Sequence, residues 1–388
     1  MSDSRVNLPN KGFWDLLAAA QTGFCSGCGT CSVACPLQLI EFEDNLPTLG
    51  DGLCLDDLYE SCGLCTLVCP QGEFEVTKGA NETAKPPAKA KRRTPQFYLG
   101  SAKDPLIRKR GQAGGVVTAL LAAGVETGFL DAVTVVQGEK LFEPSIAVVN
   151  TRKEIIAGAG TKYTRVPAVE AAWSLRQRYG KQFAFTGTPC MINGMRRLQS
   201  IGFHDNVKSS ILIGVFCSKS FLAKDLKRKV LESTDRPADQ VSRIAIKGKV
   251  KITFNDGQSK MVKLGNILKA AQDSCKYCSD FLAEQADLSV GEMGIPPGKS
   301  VIMIRTQKGH DLVMNAKNSG ELLLEPCETL LVQNLQKWDA KKRASAKVRN
   351  FPPPQKKTLL REELETSSQT DIGKTDEWPI QIPDFEHL

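Results

Sequence analysis

The sequence predicts a mixed α/β domain preceded by a small module organised around metal, and two observations carry that expectation. Eight of the thirteen cysteines fall within residues 1–76, a segment with short turns and too few apolar residues for a sizeable core of its own. From Phe97 onward, short apolar runs alternate with glycine-led helical segments. That is the pattern of strands buried on both faces and of the helices that cover them.

Residues 77–96 include AKPPAKAKRR and have no apolar periodicity, so they read as a linker. GGVVTALLAAGVETG reads as a helix and DAVTVV as the buried strand after it. SIAVVN, QFAFTG and SSILIGVFC are short apolar runs ending in Asn, Gly or Cys, as expected of central strands whose C-terminal ends carry functional loops. RIAIKGKVKITFNDGQ alternates around a Lys-Gly turn and an Asn-Asp-Gly turn, which predicts a β-hairpin. The main domain is thus expected over 97–335. The apolar pattern fades beyond Cys327, and residues 336–388, with FPPPQKK and EELETSSQTD, read as an extended tail. Its end, WPIQIPDF, would suit a docking segment.

Composition narrows the function classes. With 41% hydrophobic and 24% charged residues, the chain is not wholly disordered. The opening MSDSRVNLPNKGFWDLLAAA has no charged leader before an apolar run, and nowhere do about 18 apolar residues follow one another. A cytoplasmic protein is expected, with any membrane association peripheral. In a reducing compartment the cysteines point to metal, not disulfides. The net charge of +8 is concentrated in AKPPAKAKRR and KKRASAKVR, which read as solvated linker or docking surface, not as a nucleic-acid site. Only three histidines occur (His204, His310 and His387), with no Gly-x-Ser-x-Gly, Walker or HExxH sequence, which disfavours hydrolysis. His310, in RTQKGHD, reads as a surface-turn residue.

Cys25, Cys28, Cys31 and Cys35, followed by Pro36, fit the run in which three thiolates bind one [4Fe-4S] cluster and the fourth reaches another. A second run holds Cys62, Cys65 and Cys69 before Pro70, but Tyr59 stands where its first cysteine is due, and Cys54 is the natural substitute. Crossed ligation then assigns Cys25, Cys28, Cys31 and Cys69 to one cluster and Cys35, Cys54, Cys62 and Cys65 to the other, in a bacterial-type two-cluster ferredoxin module. Zinc sites also use C-x2-C pairs but rarely this third cysteine and proline. A three-iron cluster at the irregular second site is the other variant.

Cys190 in TGTPC and Cys217 in GVFCSK end predicted strands, and Cys275 and Cys278 form a C-x2-C pair. If the two strand ends are neighbours, the pair can complete a four-thiolate site beside them. Spacing alone equally allows Cys190 and Cys217 to be buried free thiols; Cys327 has no partner left and reads as structural. GQAGGVVTALL opens a helix whose N-terminus could hold a phosphate, or its glycines could serve only a tight turn and close packing. GAGTKYTR sets Lys162 and Tyr163 in a flexible loop, a cation and an aromatic suited to an anionic planar cofactor.

From about residue 97 to 327 the chain resembles the beta subunits of coenzyme F420 hydrogenases and dehydrogenases, through GQAGGVVTALL, GAGTKYT, FTGTPCMI, GVFC, CKYCSDFLAEQADLSVGEMG and VIMIRTQKG. With the N-terminal two-cluster module, the arrangement is similar to the electron-input subunits of reduced-F420 oxidases that feed membrane quinone or methanophenazine reductase complexes. The resemblance implies one FAD, coenzyme F420 as substrate and a third [4Fe-4S] cluster on Cys190, Cys217, Cys275 and Cys278. It also implies FAD contacts from Gly114, Gly115, Thr118, Lys162 and Tyr163. Ala113 stands where the family often has serine, so a hydroxyl contact does not carry over.

These parts fit one task. A deazaflavin gives up two electrons as a hydride, a cluster takes one at a time, and a flavin converts between them. Partners would be the other subunits of a membrane-bound F420H2 oxidoreductase complex, or a soluble acceptor such as ferredoxin. A ferredoxin-driven reductase working in the opposite direction, and a non-catalytic polyferredoxin relay, are the alternatives.

Overall fold

The computed structural model describes residues 23–43, 46–50, 63–71, 94–138, 141–176, 182–292 and 294–347, with Leu16, Ala20 and Gly180. The linker sequence AKPPAKAKRR, Cys54, Cys62 and the WPIQIPDF segment lie outside them. In the cysteine-rich segment β1 (Ile40–Glu43) pairs antiparallel with β2 (Leu46–Leu49), and two short helices, Thr30–Ala34 and Leu64–Leu67, carry cysteines.

The rest is organised by eight strands: β3 (Gln96–Ala102), β4 (Ala132–Gln137), β5 (Ser145–Val149), β6 (Phe183–Gly187), β7 (Ile211–Val215), β11 (Leu288–Gly291), β12 (Ser300–Ile304) and β13 (Leu322–Pro326). They lie in the order β13-β3-β12-β11-β7-β6-β4-β5. β4, β6, β7 and β11 are mutually parallel, while β5 on one side and β12, β3 and β13 on the other run antiparallel. The strand period of two explains the two cores. Ile211 and Ile213 join the core under the helices Val116–Glu126 and Gln307–Asn318, whereas Leu212 joins the core under the helix Pro189–Ser200. Both faces are therefore covered, as a parallel sheet requires.

QFAFTG and SSILIGVFC form the adjacent parallel strands β6 and β7, and GGVVTALLAAGVETG forms the helix Val116–Glu126 with DAVTVV as β4 behind it. SIAVVN differs: β5 is the sheet's edge and only Val149 of it is buried. An apolar run without alternation does not distinguish an edge strand laid against a loop from a central one. The expected hairpin is present as β8 (Val241–Lys247) and β9 (Lys249–Phe254), turning at Gly248 with φ 70°, and β10 (Ser259–Val262) follows the Asn-Asp-Gly turn.

The C-terminal expectation is corrected. Thr329–Ser345 is a helix, so the ordered chain runs past 335 and most of KKRASAKVR is helical. Leu335 is its one buried residue, so the sequence carries too narrow an apolar stripe to reveal it. His310 likewise lies in the helix Gln307–Asn318, not in a turn. Cys327 packs partly against Leu99, Val301 and Leu335, in the structural role read for it. No described helix is long and apolar enough to cross a membrane.

Candidate functional site

The strand order decides where four cysteines meet. Gly187 of β6 lies opposite Gly214 of the parallel strand β7, so the two chains leave the sheet side by side. β6 leads through Thr188 and Pro189 into the helix that carries Cys190. Past the end of β7, the Cys217 N–H donates to Phe281 O at 3.0 Å. Cys275 sits in the 3-10 turn Asp273–Lys276, with Cys278 just beyond. Burial pushes the Cys190 thiol up to about 12, helped by Cys28, Cys278 and Cys275 and opposed by Thr188. Cys217 is driven well above the usual thiol range by burial, then by Cys275 and Cys190, with Lys342 opposing. Burial also raises Cys278, again against Lys342. The four thiols share one site, as the strand-end reading anticipated, and the Lys342 ammonium, donating to Ser218 O, supplies positive charge beside it.

The N-terminal cysteines form a second group. Gly27 and Gly29 take φ of 59° and 91°, conformations that side chains resist, and they curl the Cys25–Cys31 segment tightly. Burial lifts Cys31 well above the ordinary thiol range, and Cys28, Cys25, Cys69 and Cys65 add to the effect. Cys35 and Cys69 pack around Cys31 and Cys65. Of the two predicted ligand sets, the first, Cys25, Cys28, Cys31 and Cys69, is wholly described and converges. The second is described only at Cys35 and Cys65.

The donor chemistry suits a polynuclear iron-sulfur core. Among the described residues no three His, Cys, Asp or Glu side chains surround a point as one metal ion requires, so the convergence is wider than a four-thiolate zinc site with Zn–S of about 2.3 Å. Thiols whose ionisation is opposed by burial and by one another ionise when a cationic metal core joins them. Ser26 and Ser274, each beside a cysteine, bury hydroxyls with no hydrogen-bond partner. Sulfur bound to iron is an acceptor that would satisfy both.

The glycine-rich and Lys-Tyr loops also meet. Gln112 Nε2 donates to Tyr163 Oη at 3.3 Å, and the Ile246 N–H from β8 donates to the same oxygen at 3.3 Å. Arg243 reaches from β8 to Gly111 O at 2.8 Å. Gly115, at φ 69°, caps the helix Val116–Glu126, and Thr118 is buried in its first turn. Gly114 is required by packing, because a Cβ there would stand 2.7 Å from Gly100 O. Lys162 differs from expectation: its ammonium donates to Gly158 O at 2.7 Å and Ala159 O at 3.1 Å, carbonyls at the C-terminal end of the helix Arg152–Ala157. In this structure it caps that helix.

Fold and site together define a mixed α/β chain with clustered buried thiols at parallel strand ends, a framework for redox chemistry. Residues 97–172 match the amino-terminal part of the coenzyme F420 hydrogenase/dehydrogenase beta subunit family, and residues 180–329 match its carboxy-terminal part. The chain belongs to this family. It is 31% identical over 323 residues to the coenzyme F420-dependent sulfite reductase of Methanocaldococcus jannaschii, covering 80% of this chain and 48% of that protein. It is 31% identical to the beta subunit of the coenzyme F420 hydrogenase of Methanothermobacter thermautotrophicus (65% of this chain, 92% of that one). With the F-type subunit of the F420H2 dehydrogenase of Methanosarcina mazei it shares 26% identity (79% and 86%). Among solved structures, a chain of the F420-reducing [NiFe] hydrogenase complex from Methanosarcina barkeri superposes with a TM-score of 0.61 at 28% identity, covering 67% of this chain and 92% of that one. The chain thus spans about half of the sulfite reductase and most of the other relatives.

Sequence reasoning passed over Gln112, Arg165, Ser220, Gln272 and Lys342. Arg165 stands in the quoted GAGTKYTR, but nothing in a sequence links it to Cys25, 140 positions away.

Proposed function

We propose that the chain oxidises reduced coenzyme F420 and delivers single electrons to a respiratory complex that reduces quinone or methanophenazine, or to another acceptor. Residues 1–76 hold two [4Fe-4S] clusters, residues 77–96 link them to the main domain, and that domain holds FAD and a third cluster. Cys25, Cys28, Cys31 and Cys69 ligate the first cluster, Cys35, Cys54, Cys62 and Cys65 the second, and Cys190, Cys217, Cys275 and Cys278 the third. When bound, FAD would take a hydride from F420H2 and the clusters would carry its electrons away singly.

One observation carries this reading. Cys28 of the N-terminal group is among the thiols that act on Cys190 of the strand-end group, so the two thiol sites adjoin.

The chain's own residues prepare the site. Gly111–Gly115 and the loop carrying Tyr163 are locked together by the Gln112 hydrogen bond, which fixes the backbone N–H groups at the helix start, where an anionic phosphate is favoured. Gly114, Gly115, Thr118 and Tyr163 would contact the flavin. Lys162 would do so only by leaving its carbonyl partners, and otherwise shapes the loop. Burial of Cys190 and Cys217 excludes water, and Lys342 offsets negative charge. The name F420H2 dehydrogenase of one relative and the electron-consuming reaction named for another support oxidation of F420H2 as the working direction. The chain acts at the cytoplasmic face, without a span of its own.

The test is steady-state turnover: protein reconstituted with iron, sulfide and FAD is mixed anaerobically with F420H2 and a one-electron dye. F420 absorbance should recover, and omission of FAD should abolish the recovery. Equal turnover without flavin would sink the FAD assignment.

A further inference from the structure

Three side chains bridge the two thiol groups. Arg165 is 5% exposed. Its guanidinium donates to Gln272 Oε1 and, at 3.9 Å, to Cys25 Sγ. The Gln272 Nε2 donates to Ser220 Oγ. The Ser220 N–H reaches Cys275 Sγ at 3.4 Å, and its Oγ lies 3.9 Å from the same sulfur. An unbroken polar chain therefore joins a cysteine of the N-terminal group to one of the strand-end group.

Donor and acceptor accounting fixes its direction. A guanidinium only donates, so Gln272 must turn its oxygen to Arg165 and its NH2 to Ser220. The Ser220 hydroxyl accepts that bond, which leaves its own proton for Cys275. Each end of the chain thus presents hydrogen to a sulfur. The backbone holds the three residues in place: the Arg165 N–H donates to Phe221 O at 3.0 Å and the Gln272 N–H to Ser220 O at 3.1 Å, while Phe221 makes β-bridges to Thr164 and Ala271. At the far end a Cβ on Gly27 would stand 1.9 Å from Arg165 Nε, so the Cys25–Cys28 loop lies directly on the guanidinium.

We infer that Arg165, Gln272 and Ser220 are positioning residues that set the reduction potential of the cluster at each end of the chain and hold the two sites in register, an inference that rests on Cys25 and Cys275 being cluster ligands. Reduction adds negative charge to a cluster. A buried cation or a hydrogen bond to its sulfur stabilises the reduced form and raises the potential. Arg165 acts on Cys25 in that sense, opposing the rise that burial imposes on its thiol.

The experiment is an EPR-monitored redox titration of the full chain with reconstituted clusters, the strand-end signal being assigned as the one lost in Cys217→Ser. Arg165→Met should lower the potential of the N-terminal cluster, and Arg165→Lys should restore part of it by returning the charge. Ser220→Ala should lower the strand-end potential and leave the other in place. Should Arg165→Met lose iron, the Lys and Ser220 variants carry the test. Wild-type potentials in Arg165→Met and Ser220→Ala at full iron content would overturn the inference. A wild type that accepts iron and sulfide without any [4Fe-4S] signal would overturn the cluster assignment itself, and the inference with it.

Discussion

Gly194 packs so tightly on Thr30 that a Cβ built on it would stand 2.0 Å from the Thr30 Oγ1. Thr30 is fully buried, and the same oxygen lies 3.1 Å from Cys28 Sγ. Here the cysteine-rich segment meets the helix Pro189–Ser200 that begins beside Cys190. Alanine is the better helix former by about 1 kcal/mol, yet Gly194→Ala should destabilise by about 1–3 kcal/mol through overpacking. Thermal unfolding of the single variant and of Gly194→Ala with Thr30→Ala checks this: the double variant should recover part of the loss. Additive losses would refute the contact.

Asp287 ties the parallel strands to the antiparallel flank. Its carboxylate accepts from Leu212 N at 2.7 Å and Thr306 Oγ1 at 2.9 Å, and pairs with Arg196 at 2.8 Å. Asp287→Ala leaves a partly buried guanidinium and a buried backbone N–H without their acceptor. A loss of about 3–5 kcal/mol is expected, read as a lower urea midpoint at unchanged slope.

Glu170 gives a pH signature. Burial raises its carboxyl above the ordinary 4.5, opposed by the Ser32 hydroxyl, which donates to it at 3.0 Å. The folded protein holds this proton to higher pH than the unfolded chain does. Its contribution is therefore complete below pH 4.5 and is lost as pH rises through the folded value. Glu170→Gln keeps an acceptor for Ser32 and removes the titration, so its stability should fall less than the wild type's above that pH. Parallel curves in pH-dependent urea unfolding would show that Glu170 contributes no such slope.

Tyr163→Phe removes the oxygen that Gln112 and the Ile246 N–H share. A buried donor left unpaired costs about 1–3 kcal/mol. If the two loops shape the flavin site, FAD affinity should weaken roughly tenfold per 1.4 kcal/mol transmitted, as measured by fluorescence titration. Unchanged affinity with lowered stability would separate the loop contact from the cofactor.

The cysteine spacing and the strand-ending runs made much of the framework legible, because local turn geometry and burial write themselves into short stretches. Cys190 and Cys217 could be placed at strand ends, but only the parallel β6–β7 pairing makes those ends neighbours, and pairing is a long-range property. Lys162 was legible as a cation in a loop. That it caps the preceding helix was not, since several nearby acceptors compete for one ammonium. The helix Thr329–Ser345 stayed hidden because Leu335 alone anchors its buried side, and the Arg165–Gln272–Ser220 chain because its members lie on three distant segments.

The most direct measurement is a single anaerobic mixing of F420H2 with the reconstituted chain, without dye, following the deazaflavin, flavin and iron-sulfur absorbances together. Oxidised F420 should appear as the protein's own chromophores bleach, and Cys217→Ser should keep the F420 reaction while losing part of the iron-sulfur bleaching. Protein with FAD and iron confirmed that leaves F420H2 untouched would contradict the account.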